Sequence, residues 1–304
     1  MREAFITGKD FKRDALEIIE RCNEILNEFA AQGIDLSLRG LYYRLVARGY
    51  IPNTDQSYKR IGNIVSDARL AGLIDWDRII DRVRETVTPS HWESPAEIVR
   101  VAARQFAIDK WENQPTRVEV IAEKDAVSSI LEPVCRELDI PYTANRGYAS
   151  SSLMYQRGKA LGKILRGSLE RGGGQHVLVL YFGDHDPSGL DMDRDVEDRL
   201  RQFAKTSQCT HELKVVRLAL TWPQIEEYEP PANPAKVTDS RAASYITRHG
   251  DESWELDALD PIVLSNLVRK HVLEVRDEEL WDEAVERENE MRSKLGAAIE
   301  AMED

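Results

Sequence analysis

The sequence predicts an α/β protein with an α-rich N-terminal part, and three observations carry that prediction. Residues 9–70 show helical periodicity. After Pro115 the apolar runs shorten and become β-branched. Those runs then alternate with helical stretches, the pattern of a largely parallel sheet covered by helices. The expected organisation is an N-terminal helical domain over 1–94, a linker helix over 95–116, and an α/β domain with a C-terminal helical extension over 117–304.

Phe11, Leu16, Ile19, Cys22, Ile25, Leu26 and Phe29 give residues 9–31 one apolar helical face, ending near Gly33. A second helix opens at the natural N-cap Ser37 and runs to before Pro52; a third begins about Ser57. The stretch DWDRIIDRVRETV has enough β-branched residues for a short hairpin. Three helices and a wing form a winged helix-turn-helix module, with residues 57–70 in the recognition-helix position. Arg60 and Arg69 on that helix are candidates for DNA phosphate contacts, although such arginines equally make surface pairs.

A helix over 95–111 leads into strands at 117–122, 140–144, 176–182 and 213–220, with helices at 125–138, 151–170 and 190–206 between them. Beyond them come a Pro-rich loop, a helix over 239–249, a strand in SWELDAL, and two helices from Pro261 onward. In parallel sheets, sites lie at the carboxyl ends of the strands. Glu123 ends the first strand, a Gly147-Tyr148 turn follows the second, and GDHDPSG, residues 183–189, follows the third.

Asp184 and Asp186 alternate with His185, so an extended chain sends both acids to one side and the histidine to the other. Each acid alone reads equally well as a loop cap or a solvated side chain. Together with Glu123 they make an oxygen site suited to Mg²⁺, with Mn²⁺ as a substitute, the arrangement used in phosphoryl transfer. Cys22, Cys135 and Cys209 form no CxxC pair and the six histidines no ligand-spaced cluster, which leaves carboxylates as the metal ligands.

Composition sets the outer limits. The formal net charge of -13 argues against nucleic-acid binding through the overall field, yet residues 39–84 concentrate arginines into a local basic stretch. No segment approaches the roughly 20 apolar residues of a membrane span, and MREAFITGKDFKRD lacks the apolar core of a signal peptide. These features predict a cytoplasmic protein with no membrane partner; nucleoid association is what the family resemblance given below implies.

The order of Glu123 and then Asp184-x-Asp186 after an apolar strand resembles the Toprim domain of topoisomerases, primases and related nucleases. GDHDPSG is similar to the form in the topoisomerase VI A subunit and the meiotic double-strand-break protein, and the chain length is closest to the stand-alone Mini-A proteins. The resemblance spans about residues 35–225. It implies a winged helix before a Rossmann-like Toprim sheet, a type IIB topoisomerase-like activity, and a nucleophilic tyrosine in an Arg-x-x-x-Tyr setting. Arg39 and Tyr43 supply that setting, one helical turn apart. A guanidinium beside the phenol favours the phenolate and holds the attacked phosphate. Tyr42 and the core role open to Tyr43 itself are the packing alternatives.

The expected activity is therefore Mg²⁺-dependent cleavage and religation of duplex DNA through Tyr43 with Arg39 as helper, and Glu123, Asp184 and Asp186 as metal ligands. The 5′-phosphotyrosyl linkage is what the resemblance implies. One such nucleophilic tyrosine per chain predicts a homodimer, and by analogy Tyr43 of one chain would meet the carboxylates of the other. The sequence has no Gly-rich phosphate loop with a lysine, so an ATPase of the B-subunit type is expected on a separate partner. A hydrolytic Toprim nuclease is the alternative, and a non-catalytic DNA-binding module the second. Lys124, Lys236 and Arg241 are further phosphate-contact candidates, with Lys124 equally an exposed surface lysine; Glu255 and Asp257 are candidates for a distant outer carboxylate.

Overall fold

The computed structural model describes residues 4, 5, 8–79, 91–145, 151–170, 172, 174–204, 213–235 and 241–303. Helices α1 (Arg13–Ala30), α2 (Leu38–Ala47) and α3 (Asp55–Leu70) pack around Ile25, Phe29, Leu41, Leu45 and Ile61. Ser37 caps α2 by accepting the Gly40 N–H, and Thr54 caps α3 by accepting that of Ser57. The third helix thus begins earlier than its apolar periodicity indicated. A single 3-10 turn, Trp76–Arg78, follows, and Ile79 bridges in parallel to Leu36. The rest of the expected hairpin, residues 80–87, lies outside the described residues, as does the Gly147-Tyr148 turn.

Helix α4 (Pro95–Gln105) packs against the last helix, α11 (Glu278–Glu303). Between them in sequence stand strands β1 (Thr116–Ala122), β2 (Tyr142–Ala144), β3 (His176–Phe182) and β4 (Leu213–Ala219), in the order β2-β1-β3-β4 with every pairing parallel. The sheet is buried on both faces, as parallel sheets are. One face, carrying Val118, Val120 and Ala122, meets α5 (Ser128–Glu137) and α10 (Pro261–Val275). The other, carrying Ile121, Val179 and Tyr181, meets α6 (Ser151–Glu170) and α7 (Met192–Ala204).

The remaining pieces close the site. Helix α8 (Trp222–Tyr228) starts in a capping box at Thr221 and Gln224. A two-stranded ribbon, β5 (Asn233–Pro234) with β6 (Glu252–Ser253), brackets α9 (Ala242–His249). The strand expected in SWELDAL is confined to its first residue; residues 256–258 turn instead as a 3-10 helix.

Candidate active site

Strands β1 and β3 are neighbours in register, with Ala122 opposite Phe182. Glu123 and Asp184 therefore leave the sheet side by side, and Glu123 Oε2 accepts the Asp184 N–H at 2.9 Å. The loop that follows is held from beneath. Arg217 donates to the carbonyls of Gly183, Asp184 and Gly189, while its guanidinium lies 5.4 Å from the Tyr181 ring centre. Asp186 Oδ1 takes the N–H groups of Ser188 and Gly189 and the Ser188 hydroxyl. Gly189 is required here, because a Cβ would collide with the Asp184 carbonyl oxygen.

Glu123, Asp184 and Asp186 are all buried. Burial, followed by repulsion from Asp184, pushes the Glu123 carboxyl up to about 7. Burial also raises Asp184, against the opposing pull of Lys124. Like charges this close require a counter-charge. Lys124 supplies part of it: its ammonium is 2.8 Å from Asp184 Oδ2, 3.0 Å from Glu255 Oε2 and 3.6 Å from Asp257 Oδ1. Burial opposes the charge on Lys124, but Asp257, Asp184 and Glu255 outweigh it and hold the amine above its ordinary range. Lys124 is thus an interior ion-pair partner, not the exposed surface lysine that its sequence position allowed.

Glu255 and Asp257 are central where the sequence had made them distant. The segment carrying them is stitched to the aspartate loop: His185 and Trp254 exchange both backbone hydrogen bonds, and Leu256 N–H donates to Asp184 Oδ1 at 2.8 Å. Arg39 Nη2 reaches Glu255 at 2.5 Å and its Nε reaches Asp257 at 3.2 Å. Arg39, Glu255, Asp257, Lys124 and Asp184 form one ionic chain from α2 to the sheet. Asp257 is buried and neither of its oxygens accepts a well-aligned hydrogen bond; burial pushes it up to about 6.

Tyr43 lies at the α2 end of that chain. Its hydroxyl is 3.5 Å from Asn233 Nδ2 and its ring centre is 6.0 Å from the Arg39 guanidinium; against burial, the charges of Lys124 and Arg39 hold Glu255 below its ordinary range. The expected effect of Arg39 on the phenol is reversed in balance. Burial, then the charges of Asp257 and Glu255, push Tyr43 up to about 12, and the hydrogen bonds of Asn233 and Arg39 only moderate this. The guanidinium is spent on two carboxylates. Tyr43 is also only 3% exposed, within the N-terminal core. Tyr42 packs, as its position implied, with its hydroxyl accepting the Thr54 N–H and its ring edge-on to Tyr58.

The other candidates scatter. Arg60 pairs with Asp14 at 2.6 Å on the surface. Arg69 donates to the Trp76 carbonyl and stacks on that indole at 4.4 Å, so it serves its own fold. Arg241 stands 3.4 Å from Asp191, and Lys236 lies outside the described residues. His185 is buried against Trp222, Tyr245, His249 and Trp254, with burial and then His249 holding its ring down to about 4. Sequence reading missed Asn233, Arg217 and the importance of Glu255-x-Asp257, whose spacing repeats that of Asp184-x-Asp186.

The donor set fits a hard divalent cation. Five carboxylates stand against the two site cations Lys124 and Arg39, and among the described residues Glu123 Oε1 and Asp186 Oδ2 accept no hydrogen bond. No group of three or more acids, histidines or cysteines among the described residues is clustered tightly enough to hold a metal by itself. Mg²⁺ works within that limit, since it takes one or two protein carboxylates and completes its shell with water and substrate phosphate. No family model matches this chain, and no curated protein matches it.

Proposed function

We propose that the protein is a Toprim-type, Mg²⁺-dependent DNA strand transesterase in which Tyr43 is the nucleophile, with a winged-helix arrangement of α1–α3 presenting it to duplex DNA. One observation carries this reading. Arg39, one turn before Tyr43, and Asp184, at the carboxyl end of a central strand, were read separately from the sequence and share one ionic network through Glu255, Asp257 and Lys124.

In the proposed reaction the Tyr43 oxygen forms a bond to a backbone phosphorus as the bond from phosphorus to the deoxyribose 3′ oxygen breaks. The phenol loses its proton and the 3′ oxygen gains one. A phosphodiester is exchanged for a tyrosyl phosphodiester, so cleavage and religation are close in energy. Arg39 and Lys124 hold the non-bridging oxygens once DNA phosphate replaces their present carboxylate partners. One or two of the carboxylates Glu123, Asp184 and Asp186 would hold Mg²⁺, which when bound supplies charge neutralisation at the phosphate and the departing oxygen. Because Tyr43 is 3% exposed, DNA engagement has to open the Arg39–Glu255 contact first. That requirement makes intrinsic cleavage slow, and a homodimer with an ATPase partner fits a gated double-strand break.

The burial of Tyr43 favours a second reading, in which water attacks and the tyrosine belongs to the fold. End-labelled duplex incubated with Mg²⁺ or Mn²⁺ and stopped with detergent separates the two. The transesterase leaves protein on 5′ ends and loses both adduct and breaks in Tyr43→Phe. Breaks that carry no protein and persist in Tyr43→Phe but vanish in Asp184→Ala establish hydrolysis.

A further inference from the structure

We infer that Asn233 stabilises the ionised oxygen of Tyr43 and that Asn53 positions it for that task, through a chain of hydrogen bonds whose direction the backbone fixes. The inference rests on the transesterase reading and concerns the tyrosine alone, whichever protomer supplies the metal carboxylates.

The relay starts at the cap of α3. The Thr54 N–H can only donate, and it donates to the Tyr42 hydroxyl at 2.9 Å. That hydroxyl turns its own proton toward Asn53 Oδ1 at 3.0 Å, with the Thr54 carbonyl 3.2 Å away. A second contact agrees on which way the Asn53 amide faces: its Nδ2 donates to the Ala232 carbonyl, which can only accept, at 2.8 Å. The same Nδ2 donates to Asn233 Oδ1 at 2.9 Å. Reversing either amide would set acceptor against acceptor, so the Asn233 NH₂ group is left toward the Tyr43 oxygen, 3.5 Å away. The main chain of Asn233 is held independently, paired with Ser253 in the β5–β6 ribbon.

A donor aimed at a phenol oxygen favours the phenolate. Tyr43 has need of one, because burial and then Asp257 and Glu255 oppose its ionisation while Arg39 is engaged by those same acids. Among the groups that act the other way, Asn233 stands ahead of Arg39. A neutral amide is also not drawn off by the carboxylates, and it keeps its place when DNA phosphate recruits the guanidinium. The last link is long, as catalytic hydrogen bonds are before substrate binds, and charge on the oxygen shortens it.

A fluorinated tyrosine whose phenol ionises near neutral pH, placed at position 43 by amber suppression, tests this in the full-length protein. Its ionisation is followed by fluorine NMR without DNA. Single-turnover adduct formation on end-labelled duplex with Mg²⁺ is then compared between chains carrying the fluorinated and the ordinary tyrosine. Asn233→Ala should raise the fluorinated phenol's pKa by about one unit and slow adduct formation through ordinary Tyr43 about tenfold. Asn53→Ala, which touches no reacting atom, should act in the same direction and by less. With the fluorinated tyrosine the slowing should shrink to about twofold or below, since the phenolate is already present. Tyr42→Phe keeps the ring against Tyr58 and removes only the hydroxyl that orients Asn53, so it gives the same shift, smaller, with the packing intact. A titration that none of the three substitutions moves, or a slowing that the fluorinated tyrosine leaves unchanged, overturns the inference and makes the two asparagines parts of the fold. A wild-type chain that forms no adduct with Mg²⁺ or Mn²⁺, while the fluorine titration shifts as expected, overturns the transesterase reading instead, and the catalytic use of the relay with it.

Discussion

Replacing Arg44 by alanine should uncouple α2 from the segment that carries Glu255 and Asp257, and the cost can be worked from its contacts. Its side chain is 7% exposed and donates to two main-chain carbonyls, those of Ala258 and Leu259. A hydrogen bond from a charged donor contributes about 1.5–3 kcal/mol. Asp260, 3.3 Å away but 40% exposed, adds at most ~0.5 kcal/mol after screening. Allowing for partial collapse and water entry at the vacated carbonyls, the loss is about 3–5 kcal/mol, the range expected when one partner of a buried pair is removed. Arg48→Ala, which breaks a 2.7 Å pair with Glu28 whose members are 33% and 47% exposed, is the comparison and should cost about 0–1 kcal/mol. Urea unfolding followed by circular dichroism and tryptophan fluorescence measures both. A cost for Arg44→Ala below ~1 kcal/mol, matching Arg48→Ala, would refute the picture of a fastened α2.

Two other outcomes are expected. Glu123 is raised in the fold to about 7 from its ordinary 4.5, so the folded state binds the extra proton between those values. Its favourable contribution is complete below about pH 4.5 and lost as pH climbs through 7, which removes roughly 3 kcal/mol of metal-free stability over that window. Mg²⁺ should restore increasing stability over the same window, and Glu123→Gln should flatten the slope; a profile unchanged by that substitution would show that the site does not set it. Glu255→Gln should raise adduct formation, by up to about tenfold or ~1.4 kcal/mol in barrier, because the Arg39 and Lys124 contacts that DNA phosphate has to replace are weakened. Single-turnover cleavage equal to wild type would remove Glu255 from the site.

The fold was legible where the physics is local. Ser37 as a cap, the apolar face of α1, and the runs 117–122 and 176–182 are statements about neighbours in sequence, and the sheet followed because β-branched runs alternated with helices. The neighbouring of β1 and β3, which places Glu123 beside Asp184, could only be supposed. The acids themselves were legible because two aspartates ending an apolar strand violate ordinary core composition. Lys124, Glu255 and Asp257 were misjudged for the opposite reason: charged residues in loops look solvated until a fold buries them together. Contacts such as Arg44 to Ala258 join residues more than 200 positions apart, and no periodicity encodes them. The raised pKa of Tyr43 comes first from its burial and then from Asp257 and Glu255, carboxylates from the far end of the chain that also consume the charge of Arg39.

Tyrosine chemistry is most directly tested by finding the bond. Wild-type protein trapped on duplex DNA with Mg²⁺ is digested with nuclease and trypsin and the peptides are sequenced by mass spectrometry. Cleavage after Arg39 and Arg44 releases Gly40-Leu-Tyr-Tyr-Arg44, in which fragmentation distinguishes Tyr42 from Tyr43. A nucleotide phosphate on Tyr43 is the predicted result. Cut DNA accompanied by this peptide in unmodified form, or by a nucleotide on another residue, would contradict it.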